Sequence, residues 1–419
     1  MVRDQAGALR EGMRRRGALD ILGPLIDRAE RLDVERRAAI QAVEERKAAR
    51  NSASQEVARR KKLGESADEF VARSRALGEE IEQLERTLGA AQAELDGLLL
   101  EFPNVTLPEV PEGAASANTL VRSWGTPRAA QAVKPHWDVA DALGIIDFPR
   151  GARISGSGFI VYRGLGARLQ RALMNFMLDT HTQEFGYEEV SVPVLVNRRS
   201  MTGTGQLPKF EDDMYAVRDD DLFAIPTAEV PLTNLFGDEI LDGAALPRAL
   251  TAFSLCFRRE AGSAGKDTRG ILRVHQFEKV ELVRLCAPED SATQLERLTG
   301  HAEEILQRLG LPYRVLLLAA GDTGFASAKT YDLEVFAPGV GKWLEVSSCS
   351  NFGDFQSRRA NIRFRPGPGE KPRFVHTLNG SGLGFPRVVA AILEHYQKAD
   401  GSVEVPEVLR SYVGAAVIG

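Results

Sequence analysis

Residues 27–98 contain no proline and are rich in Ala, Glu, Arg, Leu and Gln, residues that lose little on entering a helix. Over the second half of that stretch, apolar residues fall at Leu77, Ile81, Leu84, Leu88, Ala91, Leu95 and Leu98, with gaps of 4, 3, 4, 3, 4 and 3. That spacing is the seam by which one helix packs along another. The first half is less regular, with Leu25, Ala29, Leu32, Ala39 and Val43 marking a face that arginines interrupt. Between the halves, Lys61-Lys62-Leu63-Gly64-Glu65-Ser66 supplies a glycine to end one helix and a serine able to cap the next. A seam needs a partner, and a short turn makes the neighbouring helix antiparallel. The pattern predicts a helical hairpin with arms of about 35 residues, about 50 Å long.

Charge is uneven along this hairpin. Residues 46–62 carry Arg46, Lys47, Arg50, Arg59, Arg60, Lys61 and Lys62 against Glu56 alone, while the returning arm is acidic. A basic stripe near the tip of a projecting arm suits a phosphate backbone. A solvated face on which one sign clusters has the same pattern, and charge alone leaves both readings open. No aromatics interleave here, so a nucleic-acid contact would rest on backbone and shape.

The remainder bounds the class. The 419 residues carry a net charge of −5, with 43% hydrophobic and 26% charged residues, ordinary globular usage that excludes wholesale disorder and a collagen-like fibre. No run approaches the roughly 20 apolar residues of a membrane span. The basic N-terminus lacks an apolar segment behind it and is not expected to be a signal peptide. Cys256, Cys286 and Cys349 have no CxxC spacing, and are expected to be reduced, packed thiols of a cytoplasmic protein. His136, His181, His301 and His395 show no ligand spacing, so no zinc site is expected.

Residues 102–116 carry three prolines and read as an extended linker. The domain expectation is a helical-hairpin domain at 1–101, a linker at 102–118 and a larger domain at 119–419. In the last, helices are expected at 165–185, 290–309 and 387–398. An apolar alternating run fills 187–196, and short strands are expected at 222–226, 251–258, 272–284, 313–318, 331–336 and 343–348. Hairpin-like pairs outnumber βαβ units, which predicts an α+β fold with an antiparallel sheet flanked by helices.

Chemistry concentrates in four places. The densest is the strand, glycine-rich loop and strand running from Phe257-Arg258-Arg259-Glu260 through Lys266 and Arg269 to Val283. If the two strands pair, alternation places Arg258 and Glu260 with His275, Phe277, Lys279 and Glu281 on one surface. Thr227 and Glu229 end an apolar strand. Trp343-Leu344-Glu345-Val346-Ser347-Ser348 offers a carboxylate and hydroxyls, oxygen donors of the kind a hard cation such as Mg²⁺ prefers. Asn379-Gly380-Ser381-Gly382-Leu383-Gly384-Phe385-Pro386-Arg387 then runs into an apolar helix. Arg387 is disfavoured by the helix dipole there, and so is expected to serve an anion or a ring.

In chain order, the segments ISGSGF (154–159), FGYEEVSVPVLV (185–196), MTGTGQLPKF (201–210), PTAEVPLTN (226–234), FRREAGSAGKDTRGILRVHQFEKVEL (257–282), LEVSSCSNFGDFQSRRANIRFR (344–365) and NGSGLGFPR resemble the bacterial-type seryl-tRNA synthetases, class II aminoacyl-tRNA synthetases. The resemblance spans nearly the whole chain, arm included. It implies ATP-dependent activation of L-serine to seryl adenylate and transfer of serine to the 3′ end of tRNA(Ser), with Mg²⁺ as cofactor. It also implies a homodimer with Pro193 at the interface. Whether tRNA(Sec) is also charged depends on the host.

By the same resemblance, Arg258 holds the serine carboxylate and the α-phosphate. Glu260 reads the adenine amino group and Phe277 stacks on adenine. Val274, Val346 and Ser347 join the ATP site. Glu345 and Ser348 hold the metal and ATP, and Arg387 lies against the ATP end. Thr227 and Glu229 receive the α-ammonium group, and Glu281 and Ser381 the serine hydroxyl. Lys266 and Arg269 face the γ-phosphate or the acceptor stem, and the basic arm grips the long variable arm of the tRNA. His275 stays open between a structural and a functional part, and Cys349 reads as a packed thiol.

Two positions depart from the family pattern. Arg259 stands where a small serine is common, and Pro386 where many relatives carry a glycine. Three other readings meet obstacles. A non-catalytic RNA-binding paralogue should have lost one of Arg258, Glu260, Glu345 or Arg387. An amino-acid–carrier-protein ligase would lack the arm. A coiled-coil scaffold explains nothing after residue 98.

Overall fold

A computed structural model describes residues 2–129, 133–261 and 269–419. The chain forms two compact units, Met1–Val105 and Thr106–Gly419. In the first, α1 (Val2–Arg15) is followed by α2 (Leu19–Leu63) and α3 (Asp68–Leu100). The hairpin is unequal: α2 has 45 residues and α3 has 33. The first arm starts earlier than the seam indicates, because α1 packs on its base. There Leu9, Met13, Ile26, Ala29, Leu32, Leu95 and Phe102 form one buried cluster. Gly64 closes α2 in a left-handed conformation (φ 71°) that a Cβ would strain. The Ser66 hydroxyl accepts weakly from the Asp68 N–H at 3.5 Å. Every seam residue from Leu77 to Leu98 is buried or half-buried.

The second unit is built on one eight-stranded sheet. Its strands are β1 (Thr119–Trp124), β2 (Glu188–Glu189), β3 (Arg248–Phe257), β4 (Gln276–Cys286), β5 (Tyr313–Leu317), β6 (Lys329–Ala337), β7 (Lys342–Gly353) and β8 (His376–Gly384). They lie in the order β1-β5-β6-β7-β8-β4-β3-β2, all antiparallel except the outermost pair, β2 and β3. The run at 187–196 is not one strand. Pro193 cannot donate to a ladder, and only 188–189 and 195–197 are extended and paired.

Helices α4 (Leu165–Asp179), α5 (Ser291–Arg308) and α6 (Phe385–His395) cover one sheet face, burying Leu169, Leu173, Leu298, Ile305, Val388 and Ile392. A π-helical turn at Thr180–Glu184 ends α4. Period-two alternation explains the rest. On β4, Val280 and Leu282 point into this helical core, while Val283 and Leu285 join a second cluster with Leu232, Ile362 and Phe364. Phe277, Lys279 and Glu281 share the parity of that second side, where Phe277 and Lys279 line a cleft and Glu281 is buried.

Candidate active site

The strands β3 and β4 pair with Cys256 opposite Phe277, Ser254 opposite Lys279 and Ala252 opposite Glu281. Strand β3 ends at Phe257, so Arg258–Glu260 lie on the turn beyond it rather than alternating along it. The Arg258 N–H still donates to the His275 carbonyl at 2.9 Å, and its guanidinium sits 5.2 Å above the Phe277 ring. Glu260 takes a left-handed φ of 52° and is paired with Arg273. Arg259 is exposed, so this departure brings no buried charge.

One end of the cleft is lined by Val274, Phe277, Glu260, Val346, Pro386 and Arg387. Arg387 donates from Nη1 to the Glu345 carbonyl at 2.7 Å and from Nε to the Leu272 carbonyl at 3.2 Å. Pro386 occupies the first turn of α6, where a missing N–H is harmless. The other end is lined by Thr227, Glu229, Ser348, Ser350, Phe325 and Asn379. Arg258, Lys279, Glu345 and Ser381 border both ends.

A register break at Val346 shapes this wall. Leu333 faces Ser347, while the next residue, Glu334, faces Glu345. The extra residue lets Glu345 and Ser348 open onto one cavity, as a bulge re-aims side chains. Ser347 is turned away. It is buried, and its hydroxyl donates to the Ser381 carbonyl at 2.6 Å. Asp332, opposite Ser348 on β6, has a buried Oδ1 with no hydrogen-bond partner among the described residues. Burial, with the Glu345 charge adding to it, pushes its carboxyl well above the usual carboxylate range.

The polar end holds a closed network. Thr227 Oγ1 donates to Glu281 Oε2 at 2.8 Å, Lys279 Nζ donates to Thr227 Oγ1 at 2.8 Å, and Lys279 pairs with Glu281. Gln356 Nε2 donates to Glu229 Oε1 at 2.6 Å, and Asn379 Nδ2 to Glu229 Oε2 at 3.0 Å. Burial pushes the Glu229 carboxyl up to about 7, with the Glu281 charge adding to it. Glu281 has no exposed surface and lies behind Lys279 and Thr227. Sequence reasoning placed Lys279 on this face without a role and passed over Gln356, whose polar side chain falls in a helical segment, 355–360, with no motif to single it out. Cys349 is buried, and its thiol is pushed up to about 12 by burial.

On the arm, the basic stripe is largely paired. Arg46 meets Glu80 at 2.6 Å and Lys47 meets Glu85 at 2.7 Å across the hairpin, while Arg59 and Arg60 share Glu56. Arg50, Lys61 and Lys62 have no carboxylate partner among the described residues. Arg269 lies 4.9 Å over the Trp137 ring and 3.3 Å from Asp138. Lys266 lies outside the described residues.

Comparison with known proteins gives this geometry a lineage. Residues 1–106 match the seryl-tRNA synthetase N-terminal domain, and residues 209–396 the tRNA synthetase class II core domain (G, H, P, S and T). A serine--tRNA ligase of Gemmatimonas aurantiaca is 64% identical over 419 residues, 100% of this chain and 99% of that protein. One of Geobacillus kaustophilus is 56% identical, over 99% of this chain and 97% of that protein. The seryl-tRNA synthetase of Pyrococcus horikoshii, solved with ATP, superposes with a TM-score of 0.94 at 39% identity, covering 100% of this chain and 98% of that one. A cytoplasmic serine-tRNA ligase of Naegleria fowleri, solved with AMP, gives a TM-score of 0.86 at 31% identity over 99% of this chain and 95% of that one. An α+β class II core behind a long helical arm, with relatives of this identity along its entire length, shows that the chain belongs to the seryl-tRNA synthetase family of serine--tRNA ligases.

Proposed function

We propose that this cleft joins L-serine to ATP as seryl adenylate and then passes serine to the 3′ end of tRNA(Ser), with the parts divided as follows. The observation that carries this reading is one cleft with two chemically distinct ends. An aromatic and cationic end lies under Arg258 and Arg387, and an acidic end is lined by Glu229 and Thr227, with Glu281 buried directly behind Thr227 and Lys279.

Adenylate formation needs no protein nucleophile, because the serine carboxylate itself attacks the α-phosphorus and pyrophosphate leaves. The protein's contribution is orientation and charge stabilisation. Arg258, at the border of both ends, holds the carboxylate against the α-phosphate. Phe277 stacks adenine, Val274 and Val346 wall the base and ribose, Glu260 accepts from the adenine amino group, and Arg387 lies along the polyphosphate. Glu229 with Thr227 takes the α-ammonium group, and Glu281 with Ser381 the hydroxyl. Glu345 and Ser348 fit Mg²⁺. Both are hard oxygen donors that open onto one cavity, and the metal would supply neutralisation of phosphate charge. Arg269, together with Lys266 outside the described residues, serves the incoming RNA, and Arg50, Lys61 and Lys62 the tRNA body. The reading includes a homodimer, with exposed Pro193 beyond the outermost strand at the interface, and a cytoplasmic location consistent with three free, buried cysteines. No described helix is long and apolar enough to cross a membrane.

The test is ATP–pyrophosphate exchange with serine, alanine, threonine and glycine, followed by tRNA charging. Exchange with serine and charging of tRNA(Ser) are expected. Exchange without charging would redirect the reading to another acceptor, and no exchange with any amino acid would overturn it.

A further inference from the structure

Glu229 and Glu281 come from different elements, the short helix Glu229–Asn234 and strand β4, yet one side-chain amide touches both. Asn379 Nδ2 lies 3.0 Å from Glu229 Oε2 and 3.1 Å from Glu281 Oε1. An amide nitrogen carries two hydrogens, so it can serve both carboxylates at once. The remaining oxygens are also occupied. Glu229 Oε1 accepts from Gln356 Nε2 at 2.6 Å, and Glu281 Oε2 accepts from Thr227 and pairs with Lys279. Gln356 has its own orientation fixed, because Thr377 Oγ1 donates to its Oε1 at 2.7 Å. Gln356 and Thr377 have no exposed surface.

We propose that Asn379, supported by Gln356, is a positioning residue for amino-acid selection: it clasps the two carboxylates at a fixed spacing, so that one substrate molecule meets Glu229 with its ammonium group and Glu281 with its hydroxyl. The inference rests on the serine reading of this cleft and names what sets the spacing. Two carboxylates this close repel, and an uncompensated buried charge is costly. A shared donor offsets that repulsion and holds Glu229, which lines the cavity, at a fixed distance from Glu281 buried behind Thr227 and Lys279. The charged groups around Glu229 are Glu281, Lys279 and Arg258. Gln356 and Asn379 are neutral donors that favour its ionised form.

Asn379→Leu keeps the approximate volume and removes the donor. Serine and ATP would be varied separately in ATP–pyrophosphate exchange between pH 5.5 and 9. The expected result is a serine KM raised on the order of ten- to a hundredfold, the range set by leaving buried acceptors short of a donor, with the ATP KM unchanged. The acid limb of kcat/KM for serine should move to higher pH, and the preference for serine over alanine should narrow. An unchanged serine KM and acid limb would overturn the proposal. So would equal rises in both KM values together with a lowered melting temperature, the signature of a general strut. Should Asn379→Leu not fold, Gln356→Met removes a donor from Glu229 alone. It should shift the acid limb and serine KM in the same direction while preserving discrimination against alanine, and an unmoved acid limb there would equally overturn the idea. A parent protein without serine-dependent exchange would instead defeat the underlying functional reading, so the two failures are separable.

Discussion

Lys279 and Glu281 stand two residues apart on β4 and form an ion pair in which Glu281 has no exposed surface. A lone carboxylate would be costly at that depth, so the lysine is part of what allows the acidic group that the proposed reading assigns to the serine hydroxyl. Lys279→Met retains the aliphatic stem and strips the charge. It should destabilise the fold by about 3–5 kcal/mol, the range for breaking a buried pair by removing one partner, and abolish serine activation. Denaturant unfolding with unchanged stability would show that the pair is energetically idle.

Arg258 borders both ends of the cleft and stacks on Phe277. In the proposed reading it stands where a pentacoordinate phosphate would develop charge. Replacing it with alanine should lower the activation rate on the order of 10²–10³-fold, as for loss of one preorganised donor. Parental pyrophosphate exchange in purified Arg258→Ala would mean that the turn after β3 plays no part in the chemistry.

Glu281 and Ser381 are opposite one another across β4 and β8. A pocket built to hydrogen-bond a hydroxyl penalises a substrate without one, because its buried groups are then left unpaired. The kcat/KM for alanine should fall below that for serine by about 10⁴ or more. Comparable values would locate the selection elsewhere.

The Glu229 carboxyl, pushed up to about 7 by burial with the Glu281 charge adding to it, gives two opposite pH trends. An acid whose pKa is raised by folding binds protons more tightly in the folded chain. Stability therefore falls as pH rises from the ordinary glutamate range through about 7, by about 3 kcal/mol in total. In the proposed reading serine binding runs the other way, since an ammonium group held by Glu229 needs the ionised form, and the serine KM should rise below pH 7. Glu229→Gln should accordingly be more stable than the parent at pH 8, nearly equal at pH 4.5, and inactive with serine. Unfolding curves that differ equally at both pH values would contradict the assignment.

Much of this architecture is legible in the sequence. The seam from Leu77 to Leu98 specifies α3 and its partner because a period of 3.5 admits one geometry. Alternation on β4 aims Phe277, Lys279 and Glu281 together because period two admits one face. Alternation misleads where registers break. The shift at Val346 withdraws Ser347 from the cleft and admits Ser348, and the turn at Arg258–Glu260 lies beyond its strand. Helix α1 and the longer first arm have no such signature because they depend on packing at the arm's base, around Leu9, Met13 and Phe102, rather than on a repeat. Gln356 and Asn379 owe their place to contacts between segments more than 100 residues apart in sequence, Gln356 with Glu229 and Asn379 with Glu229. No local pattern encodes such a meeting.

The pairing on the arm divides its cations into two groups with different expected effects on tRNA. Arg46 and Lys47 are held by Glu80 and Glu85 across the hairpin, and must give up these partners to meet a phosphate. Lys61 and Lys62, exposed at the end of α2, are immediately available. Each phosphate contact releases counterions and contributes about 0.7–0.9 to the slope of log K against log salt. Lys61→Gln with Lys62→Gln should therefore raise the tRNA KM and flatten that slope by between one and two, with serine-dependent exchange unchanged. Arg46→Gln should change the slope less, because its charge is already compensated. Filter binding across a salt series, with exchange as the control, separates these outcomes. Equal slopes for the parent and the double variant would remove the end of α2 from the tRNA contact and make Arg50, another cation of the stripe with no carboxylate partner among the described residues, the next to test.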